Sequence, residues 1–574
     1  MSVIKNTENY IKDILKKCNY DIDNISLEVS SRRDLGEFQI NVCMGLAKKY
    51  GENPRDIAQK IISFFDDRFK NVNIAGPGFI NVSYADDYLL ECMNNSINNF
   101  DSYIDNDDKK KIIIDYGGAN AAKALHVGHM RSANIGEAIK RLALAFKNEV
   151  IGDVHLGDLG RQSGMVISEI KKRFPDLPYF DSNYKGIYPK YHITLEELGE
   201  YYPTASNAAK EDPDRMEEVR KITAEIDQGK EPYFTLWKDI VEVSSEDIKN
   251  IYSYLNCNFD LWEGEMSSFK YMEDTLKVLK PYMYESEGAN VIDVKKETDT
   301  EEMPPLIVMK TDGTTIYATR DLATLYSRMK NYKPDEIWYF IDQRQSLYFK
   351  QVFRASYLTS LVPSSTFLAH YPFGTINGKD GKPFKTRDGG VLKLSSLLEM
   401  VKEELLKKMT NYDSEEEKEK IANILTVGTI KYADLLPYRS TDYIFDVEKF
   451  CSFDGKTGPY ILYTMVRIKS ILNKLNKKES KIYSIYGDKD REIYIKILEL
   501  SKVLTKSYNE RATSYICEYL FELCSLFNTF YAEHNIINEK DIQKQETFIS
   551  LLYLVYNIVS KLLDILAIEI PEKM

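Results

Sequence analysis

The chain has 574 residues, which is room for roughly three or four domains of typical size. Its 43% apolar and 29% charged residues argue against a membrane protein. A formal net charge of −12 is unfavourable for a nucleic-acid binder, but screening confines repulsion to about 8–10 Å, so local basic patches still suffice. The seven cysteines form no C-x-x-C pair and the N-terminus lacks a signal peptide's apolar core, so we expect a cytoplasmic protein without structural zinc.

Residues 1–107 are predicted to form a separate α+β domain. An amphipathic helix over 4–17 opens it, and Asn53-Pro54 places a proline in a first helical turn. The segment 74–82 has the pattern of a glycine-containing turn that leads into a strand. A polar run over 101–111 is predicted to be the linker to the rest of the chain.

Residues 111–154 have the pattern of a nucleotide-binding β–α–β unit. An apolar, β-branched run over 111–116 predicts a buried parallel strand, 130–146 has helical spacing, and 149–154 predicts the next strand. In such a unit the ligand lies where the first strand leads into the helix, because the helix N-terminus presents free N–H groups that suit phosphate.

Two histidines, His126 and His129, stand at that helix start with Gly128 between them. Each imidazole is able to donate a hydrogen bond to a phosphoryl oxygen, and the glycine lets a flat purine approach the backbone closely. This suits the stabilisation of charge on a phosphate during in-line displacement. Two alternatives remain: capping histidines, or a pair of zinc ligands, which the lack of cysteine between Cys92 and Cys257 disfavours.

The middle of the chain is predicted to alternate between helical and extended segments. Residues 173–267 are acidic, tyrosine-rich and mostly helical in pattern, which indicates a helical insertion. A strand is expected over 305–309, a hairpin turn at Asp312-Gly313, a second strand over 314–317 and a helix over 318–329.

Tyr317, at the end of that second strand, and Asp321, in the helix, suit a guanidinium ligand. Recognition of a guanidinium calls for a carboxylate that offers two oxygens in a plane and for an aromatic face nearby. The alternative is that Asp321 serves only the helix dipole. A further strand over 336–341 runs into a loop that carries Gln343 and Gln345.

The segment 378–390 is basic and glycine-rich. Such a loop suits closure over a triphosphate, with Lys385 and Arg387 taking up charge on the leaving pyrophosphate. An ordinary surface hairpin is the alternative.

Residues 446–574 are predicted to be helical throughout. Helical periodicity covers 460–468 and 508–531, and tyrosines interleaved with Lys and Arg suit stacking on splayed nucleic-acid bases, although a tyrosine stripe is also typical of a core. The apolar run over 551–570 carries polar residues at helical spacing and so predicts a buried bundle helix rather than a membrane span.

The stretch from Asn120 to Ser132, followed by the G-D-L-G-R-Q block over 157–162, resembles the active-site signature of class I aminoacyl-tRNA synthetases. With the Y-x-x-R-D motif that starts at Tyr317, it is most similar to arginyl-tRNA synthetases. The resemblance implies a multidomain α/β protein with three parts: an N-terminal α+β domain over 1–107, a class I Rossmann-type parallel-sheet catalytic core over 108–445 with a helical insertion at about 173–267, and a C-terminal all-α bundle over 446–574.

The resemblance also implies an activity: L-arginine reacts with ATP, accompanied by Mg²⁺, to give arginyl-adenylate, and arginine is then transferred to the terminal ribose of tRNA(Arg). The protein itself is expected to bind no metal and to make no contact with a membrane. It is expected to be a monomer. The implied arginine-binding residues are Asp115, Asn120, Glu265, Tyr317, Asp321 and Gln345. The implied catalytic and ATP-binding residues are Lys123, His126, Gly128, His129, Lys385 and Arg387.

Several points stay open from the sequence. Phe384-Lys-Thr-Arg387 departs from the family's usual K-M-S-K-S, which leaves the sharing of charge among Lys123, Lys385 and Arg387 undecided. Glu265 beside Trp262 is alternatively structural. By resemblance, arginine activation needs bound tRNA. The competing functions are a class I synthetase for another amino acid, a nucleotidyltransferase that does not use tRNA, and a catalytically inactive tRNA-binding relative.

Overall fold

The structure, a computed structural model, describes residues 2–22, 24–30, 32–106, 108–311, 315–382, 392–410 and 412–574. The chain divides into two units. The first comprises Met1–Asp108, Met409–Tyr432 and Cys451–Met574, and the second comprises Lys109–Lys408 and Ala433–Phe450.

The N-terminal part of the first unit is an antiparallel sheet with helices packed on it. Its elements are α1 Val3–Lys17, β1 Leu27–Val29, β2 Phe38–Ile40, α2 Val42–Tyr50, α3 Pro54–Ile62, β3 Phe69–Ala75, β4 Phe79–Tyr84 and α4 Asp86–Ser96. The strands lie in the order β1-β2-β4-β3. Helix α1 buries Ile4, Ile11 and Ile14, which share one face at helical spacing. The predicted helix start at Asn53-Pro54 is confirmed, because the Asn53 side chain caps α3.

The second unit is built on a parallel sheet. Its elements, with α14 shared between the units, are β5 Lys111–Asp115, α5 Val127–Ala145, β6 Glu149–Asp153, α6 Arg161–Arg173, α7 Leu195–Glu211, α8 Pro213–Asp227, α9 Tyr233–Tyr254, α10 Met272–Leu279, β7 Met283–Ser286, β8 Ala289–Ile292, β9 Leu306–Lys310, α11 Tyr317–Asn331, β10 Glu336–Tyr339, α12 Ser346–Leu358, β11 Phe367–His370, β12 Ile376–Asn377, α13 Leu394–Leu406, α14 Glu415–Leu435, β13 Tyr443–Ile444 and α15 Val447–Phe450.

The parallel strands lie in the order β11-β10-β5-β6, and all three pairings are parallel. The isoleucines of β5 are fully buried, as expected of a central strand covered on both faces. In register, Asp115 at the end of β5 stands beside Asp153 of β6 and Tyr339 of β10. The carboxyl ends of the strands therefore bring polar side chains to one edge of the sheet, where ligands bind in such folds.

The region predicted as a helical insertion contains α7, α8 and α9. These helices share a core with α6 that includes Ile170, Leu198, Ile222 and Ile240. The indole Nε1 of Trp237 in α9 donates a hydrogen bond of 2.7 Å to the carbonyl of Asp158, which ties the helices to the loop that follows β6.

The predicted strand over 314–317 is wrong at its end, since Tyr317 is the first residue of α11. Ile316 precedes the helix, and its backbone N–H donates a hydrogen bond of 3.0 Å to the side chain of Thr319. This cap starts the helix earlier than apolar spacing alone indicates. The hairpin-turn prediction at Asp312-Gly313 lies outside the described residues.

The C-terminal part of the first unit is helical, with α16 Gly458–Leu475, α17 Asp488–Leu498, α18 Leu500–Glu510, α19 Ser514–Glu533 and α20 Ile542–Ile565. The single helical run predicted over 508–531 is wrong, because Arg511 adopts a left-handed conformation (φ 52°) that ends α18. Helix α20 is long and apolar enough to cross a membrane by composition, but 67% of that stretch is buried, as predicted for a bundle helix. The predicted fold class is confirmed.

Arg491 is one of several side chains that join the two parts of the first unit. The guanidinium of Arg491 in α17 donates to both carboxylate oxygens of Glu37 (2.5 and 3.0 Å), to Asp86 (2.5 Å) and to the carbonyl of Tyr84 (2.7 Å). Charge-assisted bonds from this side chain thus contribute four of the bonds between the N-terminal sheet and the C-terminal helices.

Candidate active site

A buried arginine forms the floor of the site at the carboxyl edge of the sheet. Arg328 of α11 donates to Asp115 at 2.6 Å, to Asp153 at 2.5 Å and to the hydroxyl of Tyr339 at 3.0 Å. Its side chain is only 3% exposed. A buried guanidinium needs such partners, so the group is fixed. Asp115, which the resemblance assigns to arginine binding, therefore has one oxygen engaged by the chain's own arginine.

The two histidines occupy the N-terminus of α5. The Nδ1 atom of His126 accepts a hydrogen bond from the backbone N–H of Gly128, and that of His129 accepts one from the N–H of His126, both at 3.1 Å. The rings stack with centroids 3.8 Å apart. Because both Nδ1 atoms accept, a neutral ring carries its proton on Nε2. The structure bears out the capping alternative, and each Nε2–H is left as a donor.

Both imidazoles stay neutral near pH 7. Burial lowers the pKa of His126 from 6.5 to about 4, with a further lowering from the charges of Lys123 and Arg344. Burial lowers the pKa of His129 to about 3, helped by His126 and Lys123. The pair therefore offers hydrogen-bond donors without a positive charge of its own.

Asn120 and Lys123 lie in the loop between β5 and α5. Asn120 pairs with Gly157 as an isolated bridge, and a Cβ atom at Gly157 would stand 2.4 Å from Oδ1 of Asn120. Lys123 is exposed and forms no hydrogen bond or ion pair with the described residues. The loop thus carries an amide directly beside Gly157 and a cation close enough to His126 to lower its pKa.

Asp321 is the acidic centre of the predicted guanidinium pocket. Its carboxylate accepts a short hydrogen bond from the hydroxyl of Tyr348, and among the described residues it forms no ion pair. Burial raises the pKa of Asp321, and the charge of Asp115 raises it further. Tyr317 lies one helical turn before it and is 57% exposed. A partly buried carboxylate that lacks a cation favours a cationic ligand.

Glu265 is engaged within the chain. Its Oε2 accepts a hydrogen bond of 2.8 Å from Arg320, which also pairs with Asp227 at 3.2 Å. Burial raises the pKa of Glu265 to about 7, and the charge of Asp321 contributes to that rise. Asp321 is therefore close enough to interact electrostatically with both Glu265 and Asp115.

Gln345 ends a short 3₁₀ turn over Gln343–Gln345 and is exposed. The adjacent Arg344 lowers the pKa of His126, which links this turn to the histidine pair. Lys385 and Arg387 lie outside the described residues. Within the described ranges, no group of three or more His, Cys, Asp or Glu side chains is arranged to hold a metal ion.

Sequence reasoning missed His155, Tyr348, Arg320 and Arg328. The charge of His155 lowers the pKa values of Asp115, Asp158, Glu265 and Asp321, so its imidazole stands among all four carboxylates. Its backbone is left-handed (φ 36°). A polar stripe at helical spacing in α11, formed by Tyr317, Asp321, Thr324 and Arg328, was a signal that could have revealed Arg328.

Three family models match the chain. They are "tRNA synthetases class I (R), catalytic domain" over residues 93–447, "DALR anticodon binding domain" over 461–574 and "Arginyl tRNA synthetase N terminal domain" over 5–84. Relatives named "Arginine--tRNA ligase" include one from Alkaliphilus oremlandii, 41% identical over 584 residues and covering 100% of both chains. One from Agathobacter rectalis is 41% identical over 577 residues and covers 97% of both.

Solved structures share the fold. The arginyl-tRNA synthetase of Plasmodium falciparum has a TM-score of 0.81 at 22% identity, covering 100% of this chain and 99% of that one. The arginyl-tRNA synthetase of Thermus thermophilus has a TM-score of 0.81 at 19% identity and covers 100% of both chains.

Proposed function

The chain belongs to the arginyl-tRNA synthetases, class I enzymes that ligate arginine to tRNA at the expense of ATP, and from this premise we propose which of its side chains do that work. The observation that carries the proposal is the carboxylate of Asp321. It accepts a hydrogen bond from Tyr348 and has no ion pair among the described residues, while Tyr317 offers an aromatic face one turn away. A guanidinium supplies the missing cation and its planar donors.

The position of Asp321 in α11 argues against the alternative that its carboxylate serves only the helix dipole. Tyr317 is the first residue of α11, so Asp321 is the fifth. The dipole effect falls off within the first turn, and a residue at this position gains little from it. We propose that Asp115 and Glu265 complete the acidic side of the pocket, while Asn120 and Gln345 orient the rest of the amino acid.

We propose that the Nε2–H groups of His126 and His129 bind the phosphates of ATP. Gly128 leaves room for ATP beside the histidines. A Cβ atom at this position would stand 3.0 Å from Cε1 of His126 and crowd that ring. Lys123, Lys385 and Arg387 supply positive charge, and Mg²⁺ arrives with the triphosphate as part of the substrate. The arginine carboxylate then attacks the α-phosphate, and the side chains act by positioning and charge stabilisation.

We propose three domains, 1–107 for the outer corner of tRNA, 108–445 for catalysis with its insertion at about 173–267, and 446–574 for the anticodon, in a monomeric cytoplasmic enzyme. A solvent-facing aromatic platform supports the anticodon role: Arg467 lies over the rings of Tyr463 and Tyr531, at 4.8 and 5.5 Å, and donates to Asn528 at 2.8 Å. Tyr463 is 40% exposed, unlike a core tyrosine, and so is available to stack on a base.

Charging of unfractionated tRNA with each of the twenty amino acids tests the function. Arginine alone is expected to be incorporated, and ATP–pyrophosphate exchange measured with tRNA present should respond only to arginine. Incorporation of a different amino acid would establish a synthetase of other specificity, and exchange indifferent to tRNA would favour a nucleotidyltransferase. A His126→Ala variant that charges as well as the wild type would contradict the catalytic role of the histidines.

A further inference from the structure

The carboxylates proposed to bind arginine are held by the chain in two different ways. Two of them pair with an arginine of the chain, Asp115 with Arg328 at 2.6 Å and Glu265 with Arg320 at 2.8 Å. Asp321 instead accepts a hydrogen bond from the phenol of Tyr348, and it forms no ion pair with the described residues. One carboxylate of the pocket is thus bound by a donor that carries no charge of its own.

Tyr348 links two elements of that pocket. It is the third residue of α12, Ser346–Leu358, which directly follows the turn that ends at Gln345, whereas Asp321 lies in α11. Its ring packs against a core cluster that includes Phe349. Burial raises the pKa of the Tyr348 hydroxyl well above its ordinary value of 10, and the charge of Asp321 raises it further, so the hydroxyl keeps its proton and remains a donor.

The ionisation of Asp321 depends on this bond. Burial raises the pKa of the carboxyl, and the hydrogen bond from Tyr348 is the largest of the influences that lower it. Other charged or titratable groups face the carboxylate from the neighbouring elements: His155 after β6, Asp115 of β5, Arg328 of α11, Tyr339 of β10 and Glu265 of the 3₁₀ turn before α10. Among them His155 and Arg328 lower the pKa of Asp321, and Asp115 raises it. The phenol therefore favours the ionised form and adds no positive charge that would neutralise it.

We propose that Tyr348 is a positioning residue for substrate arginine, which keeps Asp321 ionised and leaves one of its oxygens for the guanidinium. The inference rests on the proposed function, because that function makes a guanidinium the ligand. The phenol engages Oδ2, and Oδ1 accepts no hydrogen bond from the described residues, so Oδ1 is the oxygen left for the substrate. A cation in the place of Tyr348 would also keep Asp321 ionised, but it would compensate the charge that attracts the substrate.

The pH dependence of arginine binding tests the inference. The arginine Kd is measured by equilibrium dialysis without ATP, so that no ligation occurs, from about pH 5.5 to about pH 8.5. Wild-type affinity is expected to fall as the pH falls, because a protonated Asp321 no longer attracts a guanidinium. Tyr348→Phe removes the hydroxyl and keeps the ring, so Asp321 takes up its proton more readily. The fall in affinity is then expected about one pH unit higher than in the wild type, a shift typical of a lost hydrogen bond to a charged group.

Two comparisons locate the shift at Asp321. Tyr357→Phe is the matched control, because Tyr357 lies in the same helix and its hydroxyl bonds, among the described residues, only to the carbonyl of Thr366 at 2.8 Å and the N–H of Leu368 at 2.9 Å. Its pH profile should coincide with that of the wild type. In an Asp321→Asn background the weaker binding is followed at higher arginine concentrations. Adding Tyr348→Phe there should shift nothing, because the group that titrates is gone.

Tyr348→Lys tests the requirement for an uncharged donor. The ammonium keeps Asp321 ionised but compensates its charge. The arginine Kd is therefore expected to rise about 100-fold at about pH 8, a loss comparable to removing one partner of a buried charge pair. The ATP Kd, measured on the same protein, should stay near the wild-type value because the histidine pair is untouched.

A Tyr348→Phe profile that coincides with the wild-type profile overturns the inference. So does a loss of affinity that is equal at every pH, because that is the mark of a purely structural role. A shift that persists in the Asp321→Asn background places the titrating group elsewhere and also overturns it, as does a lysine variant that binds arginine as well as the wild type. A failure of the proposed function is distinguishable, since the wild type would then neither bind arginine nor charge tRNA with it.

Discussion

The selectivity of the pocket rests on few side chains. Asp321→Asn keeps the size of the side chain and removes its charge. The KM for arginine is expected to rise about 100-fold or more, since losing the charge from a buried, hydrogen-bonded partner costs about 3 kcal/mol and each 1.4 kcal/mol is tenfold. The KM for ATP should stay near the wild-type value in steady-state ATP–pyrophosphate exchange.

Asp274→Asn is the control for this measurement, because Asp274 is 45% exposed and pairs only with surface lysines among the described residues. It should leave both constants unchanged. An arginine KM in Asp321→Asn that equals the wild-type value would mean that the guanidinium binds elsewhere.

The depressed pKa values of the histidine pair make stability depend on pH. An unfolded histidine titrates near 6.5, whereas His126 and His129 titrate at about 4 and about 3 in the fold. Between pH 6.5 and 4 the unfolded chain binds protons that the folded chain does not. Their contribution to the free energy of unfolding is therefore complete above pH 6.5 and declines as the pH falls toward 4.

Urea denaturation at about pH 7 and about pH 5 measures this decline. The wild type should lose more stability between the two than the double variant His126→Gln, His129→Gln, which has no imidazoles to protonate there. Parallel losses would show that the pair does not carry the effect.

The sequence identified some of these residues and not others, for a physical reason. His126, His129 and Asp321 follow local rules, since each stands at a helix start or one turn within a helix. The bond between Arg328 and Asp115 joins residues 213 positions apart, and no local pattern reveals it. Tyr348 and Arg320 were not predicted as site residues for the same reason, because their roles depend on partners that only the fold brings close.

Among the elements, the β5–α5–β6 unit was the most predictable. Its apolar runs have clear strand and helix periods, and burial on both faces leaves little freedom. The start of α11 and the break at Arg511 were not, because each depends on one or two residues: the Thr319 cap in the first case and a single left-handed residue in the second. A periodic pattern of apolar residues does not predict features that depend on one or two residues.

The packing of α5 against β5 gives an element-scale prediction. A Cβ atom at Gly136 would stand 2.2 Å from Cγ of Tyr116, whose ring is fully buried. Gly136→Ala is expected to destabilise the protein by about 1–3 kcal/mol through overpacking, despite alanine's better helix propensity. The free energy of unfolding by chemical denaturation measures it.

Gly45→Ala is the matched control. Gly45 lies inside helix α2 with no atom within 4 Å of an added Cβ, so the substitution should be neutral or stabilising by about 0.5–1 kcal/mol. Equal effects of the two substitutions would contradict the close contact between α5 and Tyr116.

At the scale of the whole molecule, Arg491 donates four of the bonds that join the two parts proposed to contact tRNA. Arg491→Met removes four donated bonds to the N-terminal part and keeps an unbranched side chain of similar length. With the spacing of the two contact surfaces held less firmly, the KM for tRNA is expected to rise by up to about 10-fold while the KM values for arginine and ATP stay unchanged. Aminoacylation kinetics measure all three.

Arg68→Met is the control, since Arg68 binds Asp66 within the N-terminal part at 2.8 and 2.9 Å. It should alter the KM for tRNA far less. An unchanged KM for tRNA in Arg491→Met would mean that the two parts bind their segments of tRNA independently.

The same bond has a consequence during synthesis on the ribosome. Glu37 and Arg491 are 454 positions apart, so at about 5–20 residues per second the N-terminal sheet waits roughly 20–90 s after emerging before its partner is translated. Through that interval the acidic face of Glu37 and Asp86 stands in water, where two carboxylates cost nothing to keep. At this point of the contact the waiting surface is charged rather than apolar, and a charged surface does not promote aggregation while its partner is being made.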